Sequence, residues 1–424
     1  MEKINSQAKG GRLNILHTIK DGNWRFVFLF LLFAISSNTL YGDVFEYRHR
    51  AGSRYRIISV VTQNVYINRI LSHSAEILNR IAVEVVDENN GEALHRALVQ
   101  TSERSTAIDV ASRSFEWARE YETVFTRDRL GFMSIAPEYF MPVVRNVPVF
   151  PDRPLSVGDT WSAEGHEMHD FRDSFGFEEP FRIPFTAHYE YLGTRQWRGR
   201  DYSAFSVSYR IYYRPAGVRG RDGVSPQRIL GGADQIVFWD HALGRAAAYE
   251  GEFRMVFALS DGATVEFRGQ SHGEVYDAQE MDRDRIAEEI AAELERQNIG
   301  NVEIRVVDEG VVIVMEDIIF QPDSAIMLPG EDEKLDIISA ILLQHSDRDI
   351  LVSGHTALAG TPEARMQLSV ERARTVADFL ISRNVRSEER VVIRGYGAQR
   401  PVADNFTEEG MRRNRRVEIT ILEN

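Results

Sequence analysis

The chain has 424 residues, 43% of them hydrophobic and 27% charged, which is ordinary for folded domains and does not suggest disorder; its length allows two or three separately cored domains. A formal charge of −14 argues against a nucleic-acid partner, because phosphate binding needs a basic surface. The absence of cysteine excludes disulfides, thiolate metal sites, cysteine nucleophiles and a lipoprotein anchor.

At the N-terminus, Lys3, Lys9, Arg12, Lys20 and Arg25 precede the apolar run Phe26 to Ile35, which gives way to Ser36-Ser37-Asn38-Thr39. A basic leader, a short apolar stretch and a polar exit form a secretory signal pattern, and the run is shorter than the roughly 20 residues that a membrane-spanning helix needs. Residues 1–42 are expected to be a signal peptide or N-terminal anchor, and the protein is expected to be exported.

From residue 43 to 277 the apolar residues recur at period two. In the stretch Tyr202 to Tyr213, Phe205, Val207, Tyr209, Ile211 and Tyr213 share one face, while Ser206, Ser208 and Arg210 share the other. Phe253, Met255, Phe257 and Leu259 repeat the pattern, and Glu88-Asn89-Asn90-Gly91 and Asp261-Gly262 supply turns. This predicts a large antiparallel all-β domain, as a curved sheet, sandwich or barrel. Charges that interrupt candidate lipid-facing runs, as in Phe115-Glu116-Trp117-Ala118-Arg119-Glu120, and the prolines between Pro148 and Pro154 favour a soluble domain over a transmembrane barrel.

At about residue 278 the period changes. Ile286, Ile290 and Leu294 fall on every fourth position, predicting an amphipathic helix within 278–300 that links the β-rich region to the last domain. From 301 to 424, strands and helices alternate: Val311 to Met315 is a strand, Leu335, Ile338, Ile341 and Leu342 give a helix face, and Ile350 to Val352 is a strand. A second helix carries Leu368, Val376, Phe379 and Leu380 inward, and Val391 to Ile393 and Val417 to Ile421 complete an α/β sandwich.

The same stretch carries spaced motifs: Ile318-Ile319-Phe320 with Asp323-Ser324-Ala325, then Ser353-Gly354-His355-Thr356, then Leu368-Ser369 with Arg372-Ala373 and Val376. Gly395-Tyr396-Gly397, Pro401, Asn405 and Asn414-Arg415-Arg416-Val417-Glu418-Ile419 follow in order. In that order and spacing they resemble the OmpA-like domain shared by OmpA, Pal and MotB-type proteins. The resemblance implies non-covalent binding of peptidoglycan at the free end of the stem-peptide diamino acid, which presents a carboxylate and an ammonium. A guanidinium fork suits the first and an acid the second.

By that resemblance Arg372 is the carboxylate-binding arginine, and His355 and Thr356 belong to the binding loop. The sequence departs from the family at two places: Ala357 stands at the position of the acid and Arg365 at that of a pocket asparagine. Glu363 is close enough in sequence to serve as a substitute acid. The expected function is therefore a structural cell-envelope tether, with peptidoglycan as its partner and outer-membrane or periplasmic proteins as further candidates. Two rivals are a protein-interaction module with a degenerate wall pocket and a β-domain carrier of an apolar ligand.

Other patterns carry less. His166-Glu167-Met168-His169-Asp170 lacks the H-E-x-x-H spacing of a metal helix and is expected to be a solvated loop. There is no nucleophile elbow, phosphate loop or dinucleotide motif. No enzyme, metal or cofactor is expected.

Overall fold

A computed structural model describes residues 42–105, 115–169, 181–215, 224–278, 280–300, 302–315, 320–321 and 323–423. The expected leader, apart from Gly42, lies outside them. In the β-rich region twelve strands form an antiparallel meander. They are β1 (Arg54–Ile67), β2 (Ile70–Asn89), β3 (Glu92–Ser105), β4 (Phe115–Asp128), β5 (Met133–Ile135), β6 (Val144–Arg145), β7 (Thr160–His169), β8 (Phe181–Trp197), β9 (Arg200–Tyr213), β10 (Pro226–Asp240), β11 (Arg245–Leu259) and β12 (Thr264–Asp277). The pairing order is β5-β4-β3-β2-β1-β12-β11-β10-β9-β8-β7-β6, so β1 lies in mid-sheet with β2 on one side and β12 on the other. No ladder joins β5 to β6 among the described residues, so the pairing order does not close.

The alternation seen in the sequence sets which face is buried. Along β8, Ile183, Phe185, Ala187, Tyr189 and Tyr191 are buried, while Arg182, Pro184, Thr186, His188 and Glu190 are exposed. On β9, Phe205, Val207, Tyr209 and Ile211 are buried as their spacing predicts, whereas Tyr213 on the same face is only partly buried and Ala204 beside Phe205 is buried too. Phe45 and Phe150, from segments outside the long strands, enter the same core; their rings lie 5.3 Å apart, and Phe150 meets Trp239 edge-on at 4.8 Å. Among the described residues no helix is long and apolar enough to cross a membrane.

One local expectation is overturned. His166 to His169 are not in a solvated loop but end strand β7. Glu167 is buried, accepting hydrogen bonds from Tyr209 Oη at 2.6 Å and contacting His169 Nε2 at 2.7 Å. A buried carboxylate is tolerated because both oxygens find partners, and a short polar motif gives no sign of such distant pairing. Asp170 lies outside the described residues.

The C-terminal part begins with α1 (Arg283–Arg296), followed by β13 (Val302–Val307), β14 (Gly310–Met315), α2 (Glu331–Leu343), β15 (Ile350–Gly354), α3 (Pro362–Ser382), a 3₁₀ turn (Glu388–Arg390), β16 (Val391–Gly395), α4 (Glu408–Asn414) and β17 (Val417–Leu422). The sheet order is β13-β14-β17-β15-β16, with only β15 and β16 parallel. Asp282 caps α1 by accepting from the Arg285 amide at 3.2 Å. Its buried residues Ile286, Ile290 and Leu294 join Ile313, Ile338, Val376 and Ile419 in one core. The helix therefore packs its apolar face into the C-terminal core.

The two sheets are joined. The start of β4 pairs in parallel with the edge strand β16, Phe115 opposite Val392 and Glu116 opposite Ile393. Beside this ladder Asp349, 1% exposed, meets Arg80 at 3.2 Å, Arg56 at 3.5 Å and Arg390 at 2.7 Å. Arg104 bridges Glu76 and Glu388. Arginines on β1, β2 and β3 therefore tie the meander to the C-terminal sheet.

Candidate binding pocket

The pocket residues named by the sequence lie on α3 and the loop after β15. Thr361 caps α3 with its hydroxyl on the Ala364 amide, Pro362 opens the first turn, and Ser369, Arg372, Ala373, Val376 and Leu380 face inward. The end of β15 runs against this helix so closely that a Cβ on Gly354 would sit 1.9 Å from the Ser369 carbonyl oxygen. Only glycine fits that approach. Gly397 donates its amide to Ser369 Oγ at 2.9 Å, tying the loop after β16 to the same helix turn.

The 355–358 segment is held by backbone groups. His355 donates its amide to the Arg416 carbonyl at 3.0 Å, Thr356 to that of Gly397 at 2.9 Å, and Leu358 to Asn405 Oδ1 at 2.9 Å. The His355 ring is turned inward, stacked on Tyr396 with centroids 5.1 Å apart and with Nε2 3.5 Å from Glu418. Burial pushes its pKa down, so it is neutral at physiological pH, in keeping with a packing role. Thr356 Oγ1 is buried with no hydrogen-bond partner. Ala357 is buried too, placing a methyl group where the resemblance leads one to expect an acid.

Arg372 is 7% exposed. Its Nε donates to the Ser324 carbonyl at 3.0 Å, and its guanidinium lies over the Phe320 ring at 5.0 Å. Thr375, one turn on, bonds Ala325 at 3.0 Å, so the 323–325 segment is fixed along α3. None of the ion pairs among the described residues uses Arg372. Burial, reinforced by the like charge of Arg415 and opposed by Asp323, lowers its pKa. A guanidinium that is oriented, partly desolvated and without a carboxylate partner is suited to a carboxylate from outside.

The other two candidates differ. Arg365 donates to the carbonyl of Gly360 at 2.6 Å and so braces its own loop. Glu363 is exposed in the first turn of α3, and no contact joins it to Arg372. The acid that does act on Arg372 is Asp323, exposed and in left-handed backbone with φ 49°. Its motif is visible in the sequence, but only the packing of 323–325 against α3 brings it to the arginine.

Residues 319–415 match the model of the OmpA family. The Peptidoglycan-binding protein ArfA of Mycobacterium tuberculosis is 35% identical over 104 residues, covering 24% of this chain and 32% of that protein. Motility protein B of Bacillus subtilis is 35% identical over 126 residues, covering 28% of this chain and 48% of that protein. An outer membrane protein structure from Borrelia burgdorferi B31 is 32% identical, with 28% of this chain and 96% of that chain covered and a TM-score of 0.24. The chain thus spans about a third to a half of the length of these two curated relatives.

Proposed function

We propose, from the premise that residues 319–415 form an OmpA-family domain, that this chain is an exported envelope protein whose C-terminal part grips peptidoglycan without a covalent bond. The observation that carries this is Arg372, buried, aimed by Ser324 and Phe320, and lacking an ion-pair partner among the described residues. In this reading Arg372 takes the stem-peptide carboxylate, while the ammonium lacks the acid expected at position 357; Asp323, whose charge acts on Arg372, is the alternative acid. Thr356 offers a buried hydroxyl to the same ligand. The role is structural, and no catalytic step is assigned to any residue.

The test is co-sedimentation of the chain with purified peptidoglycan that carries a zwitterionic diamino acid. Arg372→Ala should weaken binding by about 10- to 150-fold, the equivalent of one charge-assisted hydrogen bond of about 1.5–3 kcal/mol. Arg372→Lys should restore only part of it, because an ammonium cannot reproduce the fork. An unchanged sedimented fraction with Arg372→Ala would sink the assignment.

A companion substitution asks how much the departure at residue 357 costs. Ala357→Asp places a carboxylate on a loop whose backbone is already held by Gly397 and Asn405. It should strengthen binding by about tenfold or more. If it leaves affinity unchanged and Asp323→Ala weakens it, Asp323 already holds the ammonium. Should neither wild type nor Ala357→Asp sediment, the protein-interaction reading, motivated by the missing acid, takes precedence.

A further inference from the structure

A cleft of about 780 Å³ opens between the C-terminal sheet and strands β1–β4. Its floor is the face of the sheet opposite the helices. Val311, Ile313, Val352 and Ile419 point to the helical core, whereas the alternate residues Val312, Leu351, Glu418 and Leu422 line the cleft. Close-packed interiors leave few voids larger than a water molecule, while ligand pockets commonly enclose roughly 300–1,000 Å³. This space is of the second kind.

Its walls combine two chemistries. Leu351 and Leu422 from the sheet and Ile58 and Leu98 from the meander are apolar. Around them are six arginines, at 56, 80, 305, 394, 400 and 416, balanced in number by six acids. The balance is uneven in depth. Glu120, Asp308 and Glu309 are exposed at the mouth, and Glu423 pairs with Arg283. The two inner carboxylates are already shared: Asp349 serves Arg56, Arg80 and Arg390, and Glu418 serves Arg305 and Arg416. Arg394 and Arg400 lie against the Tyr396 ring at 5.0 and 4.1 Å, and no ion pair among the described residues uses Arg400. The lining is therefore apolar in part, with its inner arginines paired and the exposed Arg400 left without an ion pair among the described residues.

We propose that this cleft binds an anionic amphiphile, with its carboxylate or phosphate head at Arg400 and its apolar body between Leu351 and Leu98. Such a head could belong to a free fatty acid or to a phospholipid, and the guanidinium chemistry is the same for both. The site is separate from the wall pocket: Arg372 is on α3, on the other side of the sheet.

The experiment is calorimetric titration of the full chain with decanoate and with decyl phosphate, each below its micelle concentration. Inorganic phosphate and neutral decyl maltoside serve as controls. Saturable one-to-one binding of either anionic probe, at least about tenfold tighter than both controls, is the expected result; whichever binds more tightly names the source. Arg400→Ala, at an exposed residue, should weaken it about tenfold or more. Ala82→Trp, at an exposed position lining the cleft, should fill the space and block binding, with the melting temperature checked in the same samples. Arg372→Ala should leave this binding unchanged, which separates its failure from that of the wall-binding reading. The proposal is overturned if neither anionic probe saturates, if decyl maltoside binds equally well, or if folded Arg400→Ala and Ala82→Trp variants bind like wild type.

Discussion

Ile290→Ala is expected to destabilise the C-terminal core by about 2–5 kcal/mol, the range for removing most of a buried aliphatic side chain. Ile290 is 1% exposed and packs with Ile286 and Leu294 into the core that holds β14, β15 and β17. A helix serving only as a link would present Ile290 to solvent or to a shallow contact, and the same change would then cost about 0.5 kcal/mol or less. The measurement is native-state hydrogen exchange of the amides of β14 and β17, which reports this core even if the chain does not unfold as one unit. Protection lowered by less than about 1 kcal/mol would show that α1 is peripheral. The same packing predicts that a fragment of residues 280–424 melts cooperatively, while one of 300–424, lacking Met281 and α1, has a broader and lower transition.

What could be read from the sequence followed how local each signal is. Alternation along β8 and β9 is set by neighbours two residues apart, so Phe205, Val207, Tyr209 and Ile211 could be placed on the buried face without knowing their partners. The helix at 283–296 was equally plain, but its destination was not, because three apolar residues at helical spacing say that a face is covered and not by what. The joint between the sheets was not legible at all. It depends on contacts such as Arg80 with Asp349, 269 positions apart, and Asp349 stands within Ser346-Asp347-Arg348-Asp349, where nothing distinguishes it from a solvated acid. The pocket was legible in part for the same reason. Arg372 is named by a motif along one helix, whereas the proximity of Asp323 arises only when the 323–325 segment folds along α3.

Asp349→Ala should cost about 3–5 kcal/mol and loosen the joint between the meander and the C-terminal sheet. The effect is large because the substitution leaves charges behind: Arg80 is 7% and Arg56 13% exposed at the side chain, and both would lose their carboxylate. Removing one partner of a buried ion pair is far costlier than the net contribution of the pair. Burial alone would raise the pKa of Asp349, but the charges of Arg80, Arg56 and Arg390 outweigh it, and the result lies below the ordinary 3.8. With the folded value depressed, the native state favours the carboxylate; its contribution is fully present above about pH 4 and is lost as pH falls through the lower folded pKa. Wild type should therefore keep the joint in mildly acidic medium, and the difference between wild type and Asp349→Ala should shrink only below that range. Exchange of the Val392 and Ile393 amides, which lie in the parallel ladder with β4, would report the local loosening, and chemical denaturation at neutral and acid pH the total cost. Asp349→Asn, which keeps the shape but not the charge, should behave more like alanine than like wild type. A loss below about 1 kcal/mol at neutral pH would mean that the ladder and the Arg104 bridge to Glu76 and Glu388 hold the sheets together without Asp349.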